Sequence, residues 1–552
     1  MSKGAGRLFM SGGILMLTGL FLLPLGLAVI GLIPVTASIF AADFWEFIGE
    51  PSVRQSLGIS LVLGVLPPLL AGYTAFWFLS RRSQLPTWIA PLLAMPHVAF
   101  AVGMGLLLLP GGLASRMLPG SWEFFQSLFV DKSLSFLVVV LWLKELPFVL
   151  LMTAVALHSA PLKQWRLVAR TFGYRDIDYF WRLVFPYLLK KLRLPLCVVA
   201  IYGVSVVDVA SVVGPNTPGP LAVRVLGWSQ EFTDLSQQRA LWGTALLFIM
   251  GLVTLAFVWL HERCACLWAS RQLSQGVPVS RRVVHLYQEF GRIMGTAGVY
   301  LSILLTGAAF FTLILWSVIE SWPVHTMIPQ AWTWSHWQWE WEEVVNALMQ
   351  TGFLALGVAS GALIFVVVAL ELEAKTQRQL PDILMLLPLI IPQLALVFIW
   401  QQVVGVHSLT APFLWVFWAQ LIFAISYVWL TLAATYRRFS RIWLLQAKVL
   451  GYSDMQAWVK IKLRMLLAPL ILAWTVAFSV SVLLYLPTVI LGAGRVITIT
   501  VEATAYGSGF DRSLAALYAF AQVVLPLVVF IGGAWLARRF RVEDPATGRA
   551  EA

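Results

Sequence analysis

The chain has 552 residues, 60% of them hydrophobic and only 12% charged, whereas a soluble globular chain is about 45–50% apolar and about 25% charged. Halving the charge excludes a water-soluble globular protein, because the surplus apolar surface needs lipid around it. The net charge of +12 does not mark a nucleic-acid binder: most Lys and Arg fall in segments on one side of the predicted spans, the positive-inside pattern that sets orientation, and membrane lipids with anionic headgroups are their natural neighbours.

In chain order, Lys3 and Arg7 precede an apolar run longer than the h-region of about 7–15 residues in a cleaved signal. A retained first span is predicted. Six spans follow the pattern in the first half: Ser11–Pro34, Ser56–Leu79, Ile89–Leu109, Leu134–Leu157, Leu194–Val213 and Ala240–Leu260. Six more lie in the second: Met294–Ile319, Leu348–Leu370, Ile383–Trp400, Phe413–Ala433, Leu470–Leu491 and Leu514–Leu536. Interior breakers such as Pro67-Pro68 are tolerated, because neighbouring helices re-satisfy the freed backbone groups. The fold class predicted is an all-α integral membrane protein of about twelve transmembrane helices in two parallel six-helix repeats. Residues 1–260 form the first half, 261–293 a basic linker, 294–541 the second half and 542–552 a tail. The linker and both termini are assigned to the cytoplasmic side. Cys197, Cys264 and Cys266 fit no disulfide framework.

An internal repeat carries the strongest signal. LVARTFGYRDIDYFWRLVFP, from Leu167, returns as LQAKVLGYSDMQAWVKIKLR, from Leu445. Leu167/Leu445, Ala169/Ala447, Gly173/Gly451, Tyr174/Tyr452 and Asp176/Asp454 share a shift of 278 positions. That register holds to Gly214/Gly492, while Pro96/Pro392, in the third span of each half, are 296 apart. The difference is assigned to the external loop after the third span, long over 110–132 and short over 402–412. Two halves of one orientation imply a parallel repeat about an axis along the membrane normal.

Each copy predicts a short helix, a left-handed glycine cap at Gly173 or Gly451, and a second helix capped by Asp176 or Asp454. In the first copy Ile177, Phe180, Trp181, Val184 and Phe185 make an apolar stripe, with Arg175, Asp178 and Arg182 facing elsewhere. One such hairpin is unremarkable. Two at the same place in two halves call for a partner outside the membrane.

This spacing resembles the EAA loop of ABC-importer permeases, over 159–193 and 434–469. Ala169, Gly173, Leu183, Phe185 and Pro186 occupy the pattern in the first copy, and Ala447, Gly451, Ile461 and Leu463 in the second. The leading Glu-Ala is replaced by Leu167-Val168 and Leu445-Gln446, and the closing Pro by Arg464 in the second copy. At the level of architecture nearly the whole chain is similar to fused permeases that carry both halves in one polypeptide, such as those of the ferric iron/thiamine group. The resemblance implies a permease subunit in the bacterial inner membrane, whose two hairpins, with Asp176 and Asp454, dock on a homodimeric cytoplasmic ABC ATPase. It further implies a periplasmic or lipid-anchored solute-binding protein as second partner.

No nucleotide loop of the G-x-x-x-x-G-K-[ST] kind occurs, so ATP and Mg would be used by the separate ATPase. This chain shows no catalytic constellation, metal site or cofactor, and nucleic acid is not an expected partner. Charged groups inside spans cost about 2.5–3.5 kcal/mol on insertion scales, so Lys144, Glu145 and Asp208 are candidates for the translocation path. A Lys144–Asp208 pair is one reading, either beside the path or purely structural. The second-half counterparts are Ile422 and Leu486. After the seventh span, Trp322, Trp332, Trp334, Trp337, Trp339 and Trp341 stand with His325, His336, Glu340, Glu342 and Glu343. An interfacial aromatic belt explains them, as would a contact surface for a binding protein or a weak metal-proximal site. The competing classes are a major-facilitator transporter and a non-transporting scaffold. The former carries a Gly/Asp/Arg-rich signature between spans two and three, where this chain reads LSRRSQLPT.

Overall fold

The computed structural model describes residues 12–13, 15–40, 42–80, 94–117, 133–174, 176–275, 281–323, 326–405 and 410–540. The first half runs α1 (Leu23–Ser38), α2 (Ala42–Gly49), α3 (Pro51–Leu79), α4 (His97–Leu108), α5 (Leu113–Met117) and α6 (Leu134–His158). The hairpin helices α7 (Leu162–Thr171) and α8 (Asp176–Tyr179) come next, followed by α9 (Phe185–Val204), α10 (Asp208–Val213), α11 (Leu221–Gln230) and α12 (Asp234–Gln275). The second half opens with α13 (Arg281–Trp316), the strands β1 (Ile319–Ser321) and β2 (Ala331–Trp332), α14 (Ser335–Trp339) and α15 (Trp341–Thr376). It continues with α16 (Asp382–Ile390), α17 (Gln393–Val404), α18 (Pro412–Arg437), hairpin helices α19 (Ile442–Val449) and α20 (Asp454–Ala457), then α21 (Leu463–Leu483), α22 (Leu486–Gly492), α23 (Ile499–Ser508) and α24 (Arg512–Arg539). The chain is an all-α multi-pass membrane protein.

Among the described residues, ten helices are long and apolar enough to cross a membrane, and α16 with α17 makes an eleventh if counted as one. Twelve were expected. The shortfall is α9, whose 20 residues include Lys190, Lys191 and Arg193. The expected ninth span is not one rod either: α16 and α17 meet at 92°, where Pro392 cannot donate a backbone hydrogen bond. The expected fifth and eleventh spans are each interrupted, over 205–207 and 484–485, and these breaks fall in the same repeat register. The proposed linker is largely helical, because α12 and α13 extend into it from both sides.

The breaks and re-entrant helices find their partners inside the protein. The first amide of α11, Leu221 N–H, donates to Ser60 Oγ of α3 at 2.9 Å. The first amide of α23, Ile499 N–H, donates to Thr351 Oγ1 of α15 at 2.9 Å. Each half thus uses a buried hydroxyl on its second span for the same task. Gln420 of α18 ties the second break, donating from Nε2 to Thr488 Oγ1 at 3.1 Å and accepting from Ser481 Oγ at 2.5 Å.

The two halves interlock. Trp400 Nε1 of α17 donates to the Pro24 carbonyl of α1 at 3.1 Å, so the first span rests on the second half. The seventh span, α13, rests on the first half. Gly291, Gly295 and Gly298 line up along it against Trp77, Phe78 and Thr74 of α3. Helices in lipid associate by close packing, and small residues let the backbones approach. A Cβ at Gly295 would lie 2.7 Å from the Phe78 backbone nitrogen. Gly295→Leu should therefore force α13 off α3, at about 1–3 kcal/mol or more. The expected result is a lower melting temperature and a lower monodisperse yield in detergent, and an unchanged profile would refute the packing.

Candidate functional site

The two hairpins are built alike. Gly173 has φ +76° and Gly451 φ +86°, the left-handed region that side chains avoid. Tyr174 N–H donates to the Ala169 carbonyl at 3.0 Å, and Tyr452 N–H to the Ala447 carbonyl at 3.0 Å. Gly173 N–H bonds the Arg170 carbonyl and Gly451 N–H the Lys448 carbonyl, both at 3.0 Å. This pair of bonds is the Schellman closure of a helix end. Ala169 and Ala447 are buried beneath it.

Beyond each corner the short helix passes into a π turn, Phe180–Val184 in one copy and Trp458–Lys462 in the other. The two turns coincide when shifted by 278 positions. A π turn holds an extra residue and so re-aims the side chains that follow. That corrects the expected stripe. Asp178 and Arg182, expected to face away, are 4% and 2% exposed. They stand 3.4 Å apart, with Arg182 Nη1 donating to the Gln272 carbonyl of α12 at 3.2 Å. Phe185 is buried as expected, Leu183, Ile461 and Leu463 are half-buried, and Pro186 sits in the first turn of α9.

The expected cap at Asp454 is also corrected. Ser453 caps α20, accepting from Gln456 N–H at 3.3 Å, while Gln456 Oε1 accepts from Ser453 N–H at 3.1 Å. Such a reciprocal pair satisfies two amides that the helix leaves open. Asp454 instead meets Lys448 Nζ at 2.6 Å across the corner. Asp176 opens α8; its side chain and Arg175, the counterpart of Ser453, lie outside the described residues.

The outward faces remain uncovered. Leu167 and Phe172 are 68% and 76% exposed, and their counterparts Leu445 and Leu450 are 59% and 77% exposed. Nothing lies within 4 Å of a Cβ placed on Gly173 or Gly451.

Within the membrane, polar side chains gather where helices break. Glu145 of α6 and His97, the first residue of α4, lie 2.9 Å apart, Oε1 to Nε2. The His97 and Tyr202 rings are 4.9 Å apart. Tyr202 OH donates to Asp208 Oδ1, across the break in the fifth span, at 3.3 Å. From the second half, Tyr427 stands within electrostatic reach of Glu145, and Tyr485 of Asp208. Lys144 is buried beside Glu145 and forms no ion pair with Asp208, which accepts from Tyr202. The Lys144–Asp208 reading therefore fails. Adjacent residues on one helix point about 100° apart, and Glu145 is the one that meets His97.

His97, Tyr202, Tyr427 and Tyr485 were not among the sequence candidates. The only clue to them was the proline before α4 and the polar interruption of the fifth span. Among the described residues no group of His, Cys, Asp and Glu gathers to hold a metal, and His325 lies outside them.

The Trp-rich loop divides. Trp332, Trp334, Trp339 and Trp341 are exposed, while Trp322 is buried. Arg116 of α5 donates from Nη1 to the Trp322 and Pro323 carbonyls at 2.8 and 2.6 Å. Arg512 donates to the Gly111 carbonyl at 2.5 Å, as Arg116 Nε does at 2.8 Å. The loop thereby pins both halves at the end opposite the hairpins.

Fold and site together define a multi-pass helical membrane protein with two matching hairpins at one end and a polar interior between its halves. Over 508 residues, 90% of each chain, it is 27% identical to the inner membrane ABC transporter permease protein YnjC of Escherichia coli strain K12. No family model matches, and no solved structure matches significantly. The likeness supports an inner-membrane permease as the class.

With open space around both corner glycines, substitution there tests backbone strain alone. Gly173→Ala or Gly451→Ala should cost about 1–2 kcal/mol through the left-handed backbone. Thermal melting should fall for both, with Gly173→Asn closer to the parent because Asn tolerates that region. Equal melting of Ala and parent chains would contradict the cap.

Proposed function

We propose that the chain is the transmembrane permease subunit of an ABC importer, fused as in the ferric iron/thiamine group, forming the solute path and coupling it to a separate cytoplasmic ATPase. One observation carries this reading: two hairpins of the same backbone expose matching apolar side chains, Leu167 and Phe172 against Leu445 and Leu450. An uncovered apolar face repeated by an internal symmetry fits a partner that is itself a dimer. An amphipathic helix laid in a groove is a common recognition mode, and a homodimeric ATPase presents two equivalent grooves. The likeness to a curated ABC transporter permease points the same way.

The mechanism follows from the joints. ATP binding and hydrolysis, with Mg2+, belong to the partner. Each hairpin passes without a flexible loop through a π turn into α9 or α21, so movement of a hairpin is delivered to a span. The halves then rock about their interface, as rigid bodies do in alternating access. In this reading Lys144, Glu145 and Asp208, with their neighbours, line the path. A periplasmic or lipid-anchored binding protein would deliver the solute to the end where Arg116 and Arg512 converge on Gly111. The hairpins mark the cytoplasmic end in this reading, which puts both termini on that side.

Phe172→Glu and Leu450→Glu should each weaken co-purification of the ATPase roughly tenfold or more, the scale of losing an apolar anchor, and abolish it together. Both positions are exposed, so melting of the isolated chain should not change. Undiminished co-purification with both substitutions in place would sink the reading.

A further inference from the structure

The two hairpins share a backbone but differ in what holds them. In the first half the contact is aromatic. Phe76 of α3 stacks on Phe180 with centroids 4.3 Å apart, and meets Trp181 at 5.0 Å and Phe185 at 4.6 Å. In the second half it is ionic. Glu371 of α15 accepts three bonds at Oε1: from Lys462 Nζ at 2.5 Å, Tyr436 OH at 2.5 Å and Trp458 Nε1 at 2.8 Å. Trp458 and Lys462 belong to the π turn of the hairpin, and Tyr436 to α18. Lys462 is only 5% exposed.

The network continues two residues on. Glu373, 7% exposed, accepts two bonds from Arg437 of α18 at 2.9 and 2.8 Å. Arg437 also donates to Asp382 Oδ1 at 2.8 Å, and Asp382 is the first residue of α16. Trp429 Nε1 reaches the same oxygen at 2.9 Å. The contacts therefore run from the hairpin through α15 and α18 to the bent ninth span. The first hairpin is held differently: its buried Arg182 pairs with Asp178 inside the hairpin and donates to the Gln272 carbonyl of α12, and α3 carries no carboxylate to meet it. In the two repeat registers, Phe180, Val184, His158 and Ser159 stand for Trp458, Lys462, Tyr436 and Arg437, and Ala75 and Trp77 for Glu371 and Glu373.

Apolar contact is non-directional, and aromatic faces can slide over one another. A buried ion pair has no such freedom, since separating the partners leaves an uncompensated charge. Resting on the permease reading above, we propose that Glu371 is the positioning residue through which the second hairpin moves α15 and, by way of Arg437, the bent span α16–α17. The second spans of the two halves are then driven unequally, α15 through a rigid ionic joint and α3 through a compliant aromatic one.

The test uses the full chain co-expressed with its ATPase and placed in lipid nanodiscs, with Cys197, Cys264 and Cys266 changed to Ser. Spin labels at Lys163 and Lys375, both exposed, report the separation of the first hairpin from the end of α15, before and after trapping with ATP and vanadate. The parent should show a shift on trapping. Glu371→Gln should retain the ATPase and hydrolyse ATP while showing less than half the shift, and Glu371→Asp should restore it. Misfolding is separated by the double variant Glu371→Gln with Lys462→Met, which leaves no lone buried charge. It should melt close to the parent and still lack the shift. A full shift in Glu371→Gln or in the double variant overturns the proposal and leaves the permease reading standing. An ATPase that never co-purifies with the parent chain overturns both.

Discussion

A backbone amide inside a bilayer has no water to bond, so every interruption of a helix must be satisfied by the protein itself. The rest of this structure depends on that constraint. The chain interrupts its spans at 205–207, at 484–485 and at the 92° bend before Pro392. Ser60 and Thr351 receive the first amides of the two re-entrant helices, and Gln420 bridges Ser481 and Thr488. These partners confine the breaks to the interior between the halves. The breaks in turn bring His97, Glu145, Tyr202 and Asp208 together there. The polar interior and the irregular helices are one feature seen from two sides.

Symmetry and its violation divide along the membrane normal. The hairpin corners repeat, with matching left-handed glycines and matching closure bonds. What surrounds them does not repeat. Aromatic rings join the first hairpin to α3, and a buried ion pair joins the second to α15. Around the helix breaks, Glu145 and Asp208 come from the first half and Gln420 from the second. Side chains packed on different neighbours are free to diverge in chemistry.

The interlock of α1 and α13 bears on movement. Each half carries the first span of the other on its flank, through Pro24 and Trp400 in one case and the Gly291–Gly295–Gly298 row in the other. Such exchange ties the halves together. The cluster of Arg116, Arg512 and Gly111 adds a second tie, at the end away from the hairpins.

The sequence by itself determined the two halves, the apolar spans and the hairpin corners. Hydropathy, proline and left-handed glycine act within a few residues of chain, so their marks are local. Ala169, Gly173, Ala447 and Gly451 were legible for this reason. The amphipathic wheel misled at Arg182, which a π turn carries to another face without changing composition, and at Asp178, which is buried as its ion-pair partner. Only the tertiary structure decided that Asp208 meets Tyr202 and not Lys144, that Ser453 and not Asp454 caps α20, and that Glu371 and Glu373 hold Lys462 and Arg437. Contacts of this kind join residues far apart in the chain, or depend on which way a helix has been turned by a break before it. Packing of one helix on another sets them, and no periodicity in the sequence records it.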